Sequence, residues 1–275
     1  MTTKQNVPRI LSIAGSDSGG GAGIQADLKT IAALGGHGMT AITAITAQNT
    51  RGISGVLALP GAMVIAQIDA VVTDIGVDAV KIGMLGSAEI VGEVARALIR
   101  HRIACVVLDP VLRATSGYAL SDDATAAAIA RHLFPLATLI TPNLDEASIF
   151  LGREVRSVED LESAGRDLLD LGANAVLIKG GHLPAGDGDN LVDVLIRPEH
   201  HAQRFVHRKI PTGNTHGTGC TLASAITILL AANDELPVAV ASAIGYVQDA
   251  LLAGAKLKLG HGSGPLWHMH DRRRS

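Results

Sequence analysis

The sequence predicts an α/β protein built on a mostly parallel central sheet with an antiparallel edge. Short apolar runs rich in β-branched residues alternate with longer alanine- and leucine-rich stretches from Ile10 to about Ile178. The short runs are apolar on both faces, as are the strands of a buried parallel sheet. After Lys179 the runs become shorter and more polar, which is typical of an antiparallel edge.

Each predicted strand is a short apolar run bounded by glycine, proline or polar turn residues. The parallel strands are predicted, in chain order, at residues 10–14, 40–46, 79–82, 104–108, 139–141 and 175–178. The two edge strands are predicted at residues 190–196 and 204–209, with a turn at Arg197 and Pro198.

The predicted helices lie between these strands and have the length and apolar spacing of crossover helices. They cover residues 23–34, 63–73, 88–101, 123–132, 144–151 and 158–171. Two long apolar segments after the edge strands, residues 218–232 and 237–258, predict two more helices. Pro237 is in the first turn of the second one, where its missing N–H costs little.

Composition limits the classes of function. The 275 residues fit one large domain, 1–275, ending in a short flexible tail, and 47% of them are hydrophobic, which is enough for a core. A net charge of -3 and 2% aromatic residues argue against a nucleic-acid partner. Two cysteines and an N-terminus without an apolar stretch favour the cytoplasm. The apolar stretch at residues 222–232 is shorter than the roughly 20 residues that cross a bilayer, so no membrane association is expected.

Glycine or polar residues occur at the end of every predicted parallel strand. Each such loop alone is more often an ordinary turn, but the carboxyl ends of parallel strands share one edge, where ligands bind. Six loops at this edge therefore predict a binding site. They are Gly15-Ser16-Asp17, Gln48-Asn49, Gly83-Met84, Asp109-Pro110, Pro142-Asn143 and Lys179-Gly180-Gly181.

The first loop, residues 15–23, contains five glycines, so its backbone N–H groups can approach a ligand closely. It lacks the Gly-Lys-Ser/Thr ending of a P-loop, since the nearest lysine, Lys29, lies inside the following helix. Gly21-x-Gly23-x-x-Ala26 matches a dinucleotide fingerprint loosely, but no acidic residue follows the second strand. NAD binding by an oxidoreductase stays an alternative.

A second glycine cluster, Asn214-Thr215-His216-Gly217-Thr218-Gly219-Cys220, leads directly into an apolar helix. Open N–H groups and the positive end of that helix favour an oxyanion or phosphate. Cys220 at this helix N-terminus is predicted to have a pKa below the usual value of about 8.5. Cys105 is predicted to be an inert core residue, and the histidines at 200, 201, 268 and 270 are predicted to be surface polar residues.

These motifs resemble those of the bacterial hydroxymethylpyrimidine/phosphomethylpyrimidine kinases, thiamine-pathway members of the ribokinase-like superfamily. The resemblance runs in order along nearly the whole chain. It is carried by residues 14–30, Thr46-Ala47-Gln48-Asn49-Thr50, Lys81-Ile82-Gly83-Met84-Leu85, Thr141-Pro142-Asn143-Leu144-Asp145-Glu146-Ala147, Lys179-Gly180-Gly181-His182, Thr215-His216-Gly217-Thr218-Gly219-Cys220-Thr221 and the tail at 260–265. One departure is Thr115, where the family usually has a flap lysine; Arg113 is a candidate to replace its charge.

The resemblance implies a ribokinase-like three-layer α/β/α sandwich and a homodimer. It also implies phosphorylation of 4-amino-5-hydroxymethyl-2-methylpyrimidine, and then of its monophosphate, with ATP as co-substrate and Mg²⁺. A pyridoxine or pyridoxal kinase on the same scaffold is the alternative within the kinases. Outside them, a catalytically silent pyrimidine sensor would bind the ligand without consuming ATP.

The resemblance also implies roles for individual residues. On the pyrimidine side, Gln48 would hydrogen-bond the aminopyrimidine, and Asp17 would orient the first loop. Gly15, Ala22, Met84 and Val111 would form the wall around the ring.

On the nucleotide side, Asn143 and Glu146 would place Mg²⁺ and phosphates through water, and Lys179 would neutralise phosphate charge. Asp109 would help to place the metal, and Thr215 would contact ATP. The backbone amides of Gly217, Thr218 and Gly219 would hold negative charge during transfer, and Cys220 would accept the hydroxyl proton late in the reaction.

Overall fold

The structure is a computed structural model that describes residues 7–114, 117–181 and 190–271. Thr115 and the predicted tail after residue 271 lie outside these ranges. The strands are β1 Arg9–Asp17, β2 His37–Asn49, β3 Gly52–Ala58, β4 Ala79–Ile82, β5 Val106–Leu108, β6 Leu139–Ile140, β7 Val176–Ile178, β8 Asn190–Ile196 and β9 Gln203–Arg208. The helices are α1 Gly23–Ala33, α2 Gly61–Asp74, α3 Ala88–Arg100, α4 Asp123–His132, α5 Leu144–Leu151, α6 Val158–Asp170, α7 Thr218–Ala231 and α8 Leu236–Gly254.

The strands form one nine-stranded sheet in the order β3-β2-β1-β4-β5-β6-β7-β8-β9. The neighbours from β2 to β7 pair in parallel. β8 and β9 add antiparallel strands beyond β7, which confirms the predicted edge. The other edge is also antiparallel, because β2 turns back into β3.

Helices cover both faces of the sheet, which confirms the three-layer arrangement. Side chains alternate between the faces, so that Val106 and Leu108 join the core under α2 to α6, whereas Val107 joins the core under α7 and α8. α1 packs beside α7 on this second face. All eight helices were expected from the sequence, with ends that differ by a few residues.

The sequence analysis missed β3. This strand has exposed residues along much of its length and carries Gly52 and Gly55, so it lacks the apolar signature of a buried strand. A tight turn at Thr50 and Arg51 joins it to β2. As a result, Gln48 is the second-to-last residue of β2, next to the hairpin turn, and does not lie in a loop that leads to a helix.

Among the described residues, one helix, α8, is long and apolar enough to cross a membrane by length and composition. It has 19 residues and a mean hydropathy of 1.5. Its residues Val240, Ala243, Val247 and Leu251 are buried in the core against α7. The packing explains the hydropathy, because a helix between a sheet and its neighbour is apolar over a wide face.

A buried ion pair connects four of the elements that lead to the carboxyl edge of the sheet. Lys81 of β4 and Asp27 of α1 have fully buried side chains, with Lys81 Nζ 3.0 Å from Asp27 Oδ1. Ser12 of β1 donates to Asp27 at 2.5 Å, and Ser224 of α7 donates to it at 2.8 Å. Burial is the largest influence on the pKa of Lys81 and lowers it, but the neighbouring acidic groups, Asp27 first among them, together outweigh burial and raise the pKa, so Lys81 is a cation.

Removing one partner of this pair should destabilise the fold strongly. In Lys81→Met, the Asp27 carboxylate stays buried without its cation, and we expect the free energy of unfolding to fall by about 3 to 5 kcal/mol. Urea denaturation followed by circular dichroism measures the change.

Two further variants control this measurement. Lys81→Met/Asp27→Leu removes both charges, so it should recover part of the loss. Arg9→Ala breaks a pair with Asp78 that is partly exposed, and it should destabilise the fold much less than Lys81→Met does. A double variant less stable than Lys81→Met would contradict the ion-pair explanation.

Candidate functional site

One cavity of about 630 Å³ follows the carboxyl edge of the sheet from β2 to β8. Its lining includes every site residue that the sequence analysis nominated. These are Gly15, Asp17, Ala22, Gln48, Met84, Asp109, Val111, Asn143, Glu146, Lys179, Thr215, Gly217, Thr218, Gly219 and Cys220.

Asp17, the last residue of β1, organises the first loop. Its Oδ1 accepts from the N–H of Gly19 at 2.8 Å, and its Oδ2 accepts from those of Gly21 and Ala22 at 3.0 and 2.8 Å. The Nε2 of His216 lies 2.9 Å from the same Oδ2. Burial alone would raise the pKa of Asp17, but the bonds from His216 and the backbone lower it, so Asp17 is a carboxylate.

One end of the cavity contains Gln48, Thr46 and Met84. The Oε1 of Gln48 lies 3.0 Å from the hydroxyl oxygen of Thr46. The Nε2 of Gln48 lies 3.4 Å from the Nε2 of His216. A Cβ on Gly15 would lie 2.5 Å from Met84 Cε, so the glycine makes room for the methionine. These contacts bring a carboxamide and a thioether to one end of the cavity.

Gly217 joins the second glycine cluster to the first loop. It is the N-cap of α7 with φ 88, and a Cβ there would lie 1.9 Å from the carbonyl oxygen of Gly21. Only glycine fits this left-handed, crowded position. No side chain caps α7. The N–H of Thr218 donates to the Thr215 carbonyl at 3.3 Å, and the N–H of Gly219 is left for an anion in the cavity. We call residues 217–219 the amide cradle.

Lys179, Asp109 and Glu146 form a charged group next to the amide cradle. Lys179 Nζ donates to Asp109 Oδ1 at 2.8 Å and lies 4.0 Å from Glu146 Oε2. A Cβ on Gly219 would lie 3.3 Å from Lys179 Nζ and 3.5 Å from Asp109 Oδ2. The cradle therefore meets the lysine directly, and a side chain at position 219 would press on the ion pair.

Asn143 and Glu146 also begin α5. The side chain of Asn143 accepts from the Glu146 N–H at 2.9 Å, and Glu146 Oε2 accepts from the Asn143 N–H at 2.8 Å, which makes a capping box. The Asn-x-x-Glu motif, which was expected to place Mg²⁺ and phosphates, thus also has a structural role as the N-terminal cap of α5. The box fixes the Glu146 carboxylate at the cavity wall.

The carboxylates of this group suit a divalent cation. Burial is the main cause that raises the pKa of Glu146 to about 7, Lys179 opposes it and Asp109 adds to it. Burial lowers the pKa of Lys179, but the two carboxylates outweigh it and raise it. No cluster of three or more metal-ligating side chains occurs in the described residues, but Mg²⁺ keeps several waters and needs few protein ligands. Asp109 and Glu146 therefore fit an Mg²⁺ site completed by water and phosphate.

The prediction that Cys220 has a lowered pKa is wrong. Burial is the main cause that raises the pKa of its thiol to about 11. Lys81 lowers that pKa, but the Asp27 and Asp109 carboxylates raise it further. Cys220 is therefore a thiol at neutral pH, because burial, together with two carboxylates that are distant in sequence, outweighs the charge of Lys81.

His268 was expected at the surface, and this expectation is wrong as well. The residue is 4% exposed, and its Nε2 lies 3.0 Å from the Thr221 hydroxyl, which donates to the Gly217 carbonyl at 2.8 Å. Since that hydroxyl proton is used, His268 donates from Nε2 as a neutral ring. Burial lowers the pKa of His268 to about 4. The C-terminal segment thus supports the first turn of α7, whereas His200 and His201 are exposed as expected.

The sequence analysis assigned no role to two further residues of the cavity lining, Lys81 and His216. Lys81 is a charged residue within the buried strand β4, which is itself a sign of a special position. His216 was part of a quoted motif, but its partner Asp17 is 199 residues away. Arg113, proposed as a substitute for the flap lysine, also lines the cavity.

Solved structures share this fold. A phosphomethylpyrimidine kinase from Clostridium difficile 630 superposes with a TM-score of 0.77 and 43% identity, covering 89% of this chain and 99% of that one. The pyridoxal kinase from Staphylococcus aureus, in complex with pyridoxal, superposes with a TM-score of 0.87 and 34% identity, covering 98% and 96%. The fold and its cavity define a ribokinase-like kinase.

Sequence comparisons narrow this class. A profile of the phosphomethylpyrimidine kinase family matches residues 17–267. A hydroxymethylpyrimidine/phosphomethylpyrimidine kinase from Streptomyces coelicolor is 49% identical over 95% of this chain and 94% of that protein. The thiamine biosynthesis bifunctional protein ThiED from Geobacter sulfurreducens is 48% identical over 94% of this chain, which spans 52% of that longer protein. The chain belongs to the phosphomethylpyrimidine kinase family.

The buried neutral His268 should make the fold sensitive to acid. Its pKa of about 4 in the folded chain lies below the unfolded value of about 6.5, so its contribution to stability is complete above pH 6.5. As the pH falls from 6.5 towards 4, only the unfolded chain binds the proton, and the free energy of unfolding should fall by about 3 kcal/mol from this residue.

His268→Gln is the matched control, since glutamine keeps an N–H donor for Thr221 but does not titrate. Urea unfolding of both proteins at several pH values isolates the histidine, because all other groups are shared. We expect a smaller loss for the glutamine variant. Parallel curves would show that His268 is not the sensitive group.

Proposed function

We propose that this chain transfers the γ-phosphoryl group of ATP to the hydroxymethyl group of 4-amino-5-hydroxymethyl-2-methylpyrimidine, and then phosphorylates the monophosphate to give the diphosphate used for thiamine. The main support is that a carboxamide suited to an aminopyrimidine, Gln48, and the amide cradle share one cavity and are linked through His216. The relative from Streptomyces coelicolor is a hydroxymethylpyrimidine/phosphomethylpyrimidine kinase and that from Clostridium difficile 630 is a phosphomethylpyrimidine kinase, which agrees with this activity.

The pyrimidine end of the cavity provides the binding contacts. Gln48 carries both a donor and an acceptor, which complement the amine and ring nitrogen of the substrate. Gly15, Ala22, Met84 and Val111 form the wall around the ring. Asp17 does not bind the ring in this proposal but holds the N–H groups of the first loop in place, as its contacts with Gly19, Gly21 and Ala22 support.

The nucleotide end stabilises charge. Lys179 neutralises phosphate oxygens beside Gly219, Thr215 contacts ATP, and Asn143 keeps Glu146 in place. Mg²⁺, when bound to Asp109 and Glu146 through water, neutralises the charge of the phosphates. The amide cradle holds the equatorial oxygens of the transferring group, and the loss of one such donor typically costs about 2.7 to 4 kcal/mol of activation free energy.

Cys220 is proposed to accept the proton of the substrate hydroxyl late, as the new P–O bond forms. Its raised pKa means that the thiol must first lose its own proton, and that the small thiolate fraction is a stronger base than an ordinary cysteine. Turnover should therefore rise with pH. Arg113 is proposed to supply the flap charge that the family takes from lysine.

A pyridoxal kinase activity is the second candidate, because the solved pyridoxal kinase from Staphylococcus aureus matches 98% of this chain with a TM-score of 0.87. Pyridoxal and the pyrimidine alcohol both present a hydroxymethyl group on a nitrogen heterocycle. The pyridine ring lacks the exocyclic amine that the Gln48 oxygen would accept from, which favours the pyrimidine as the main substrate.

We further propose that the chain acts in the cytoplasm as a homodimer, without nucleic-acid or membrane partners. Ile45, Val56 and Leu57 of the β2–β3 hairpin are 47%, 42% and 64% exposed, and an apolar surface at an open sheet edge suits a second copy of the chain. Sedimentation velocity should give a mass near twice 28.3 kDa. A monomer at micromolar concentration would contradict the dimer.

The central experiment incubates the purified chain with ATP, Mg²⁺ and either the pyrimidine alcohol or pyridoxal, and follows the products by mass spectrometry. We expect the pyrimidine monophosphate first and the diphosphate later, with pyridoxal phosphorylated more slowly. Consumption of pyridoxal alone would replace the main proposal by the second candidate. Binding without ATP consumption would identify a sensor.

Two variants accompany this assay as tests of residue roles. Cys220→Ala should reduce turnover at saturating ATP and abolish its rise with pH, whereas near-wild-type turnover would remove the proton-accepting role. Arg113→Ala should slow the second transfer more than the first, because that step brings together more phosphate charge. Two unchanged steps would show that Arg113 does not replace the flap lysine.

A further inference from the structure

His216 is the buried link between the pyrimidine end of the cavity and the first loop. His216 is 8% exposed, and its Nε2 lies 2.9 Å from Asp17 Oδ2 and 3.4 Å from Gln48 Nε2. A carboxylate can only accept, so the Nε2 that faces Asp17 carries a hydrogen and donates it. The lowered pKa of Asp17 supports this assignment, because the carboxylate stays ionised at neutral pH.

A ring nitrogen that donates a hydrogen cannot accept one from the amide nitrogen of Gln48. Rotation of the carboxamide by 180° removes this conflict, since it exchanges the nitrogen and oxygen positions without moving the side chain. The oxygen of Gln48 then lies beside His216. Its nitrogen lies beside the Thr46 hydroxyl, at the position 3.0 Å away that the oxygen leaves.

The hydrogen bonds of Thr46 favour this direction of the Gln48 carboxamide. Its hydroxyl lies 2.9 Å from the Ser16 carbonyl oxygen, which can only accept, so the single hydroxyl proton is used there. The lone pairs of the Thr46 oxygen are left for an N–H donor from Gln48. In the rotated direction the Gln48 nitrogen donates to Thr46, and the Gln48 oxygen shares the Nε2 hydrogen that His216 donates mainly to Asp17; in the other direction both contacts are mismatched.

We propose that the Asp17–His216 pair, together with Thr46, fixes the direction of the Gln48 carboxamide and thereby selects an aminopyrimidine over its 4-oxo counterpart. His216 is a positioning residue in this proposal, because it acts through Gln48. The inference rests on the proposed function for the identity of the ring, and it adds the residues that decide which ring edge is accepted.

The two heterocycles differ in the order of their hydrogen-bonding groups. The aminopyrimidine presents an acceptor nitrogen next to an amine donor, whereas the 4-oxo ring presents an N–H donor next to an acceptor oxygen. A carboxamide of fixed direction matches the first edge and opposes the second. A carboxamide that is free to rotate can match either edge, so discrimination should depend on His216.

The test compares the kcat/KM of the 4-amino alcohol with that of its 4-oxo analogue in three proteins. For the wild type we expect a preference of at least about 100-fold for the amine, as in sites whose buried polar groups would be left unpaired. In His216→Leu the preference should fall below about 10-fold, with a raised KM for the amino alcohol and an unchanged KM for ATP. His216→Gln, which keeps an N–H donor towards Asp17, should retain most of the preference.

Calorimetric binding of the same two alcohols provides a measurement that does not need turnover. If the wild type binds the amine selectively but transfers no phosphate, the proposed function fails and the inference stands. If His216→Leu weakens both alcohols equally and keeps their ratio, His216 is only structural and the inference is overturned. Asp17→Asn weakens the hydrogen bond between His216 and residue 17 while keeping the imidazole ring, so it provides a second test if His216→Leu does not fold. An unchanged ratio of the two affinities in Asp17→Asn also overturns the inference.

Discussion

The buried ion pair between Lys81 and Asp27 is the interaction on which the geometry of the site depends. Its carboxylate also accepts from Ser12 and Ser224, so one buried charge fixes β1, α1, β4 and α7 relative to one another. The first loop leaves β1 and enters α1, the loop with Met84 leaves β4, and the amide cradle is the N-cap and the first two residues of α7. A shift of any of these elements would unpair a charge without access to water, which costs several kcal/mol. The buried polar cluster of Lys81, Asp27, Ser12 and Ser224 therefore holds the elements that line the cavity in fixed positions.

Backbone-to-backbone contacts then bring the rim together. Gly217 packs on the carbonyl of Gly21, and a Cβ on Gly262 would lie 1.9 Å from the carbonyl oxygen of Thr50. The C-terminal segment also accepts the His216 N–H through Gly264 at 3.0 Å. The glycines of the motifs are thus required for packing as well as for access to a ligand. This explains why the segment at 260–265 lies beside the turn after Gln48, although it is far from that turn in sequence.

The sequence predicted the parallel strands, all eight helices and the loops of the binding edge, because apolar periodicity and turn residues are local signals, whereas most of the individual cavity residues were nominated from the family resemblance. It did not predict β3, whose exposed residues and glycines give no apolar pattern. It gave the wrong direction for the pKa of Cys220 and the wrong location for His268, since both depend on residues brought close only by folding. The contact of His216 with Asp17 was missed for the same reason. Local pattern therefore identifies which residues meet, and tertiary structure decides their protonation and their orientation.

The distribution of charge also explains why a thiol suits position 220. Asp27 and Asp109 both raise the pKa of Cys220, and Glu146 already has a pKa of about 7 in the same cavity. A carboxylate at position 220 would add a negative charge to this group and oppose the approach of a polyphosphate. A neutral thiol avoids that repulsion until the proton leaves. The buried cations Lys81 and Lys179 then face fewer fixed negative charges, so more of their electric field reaches the cavity beside the amide cradle.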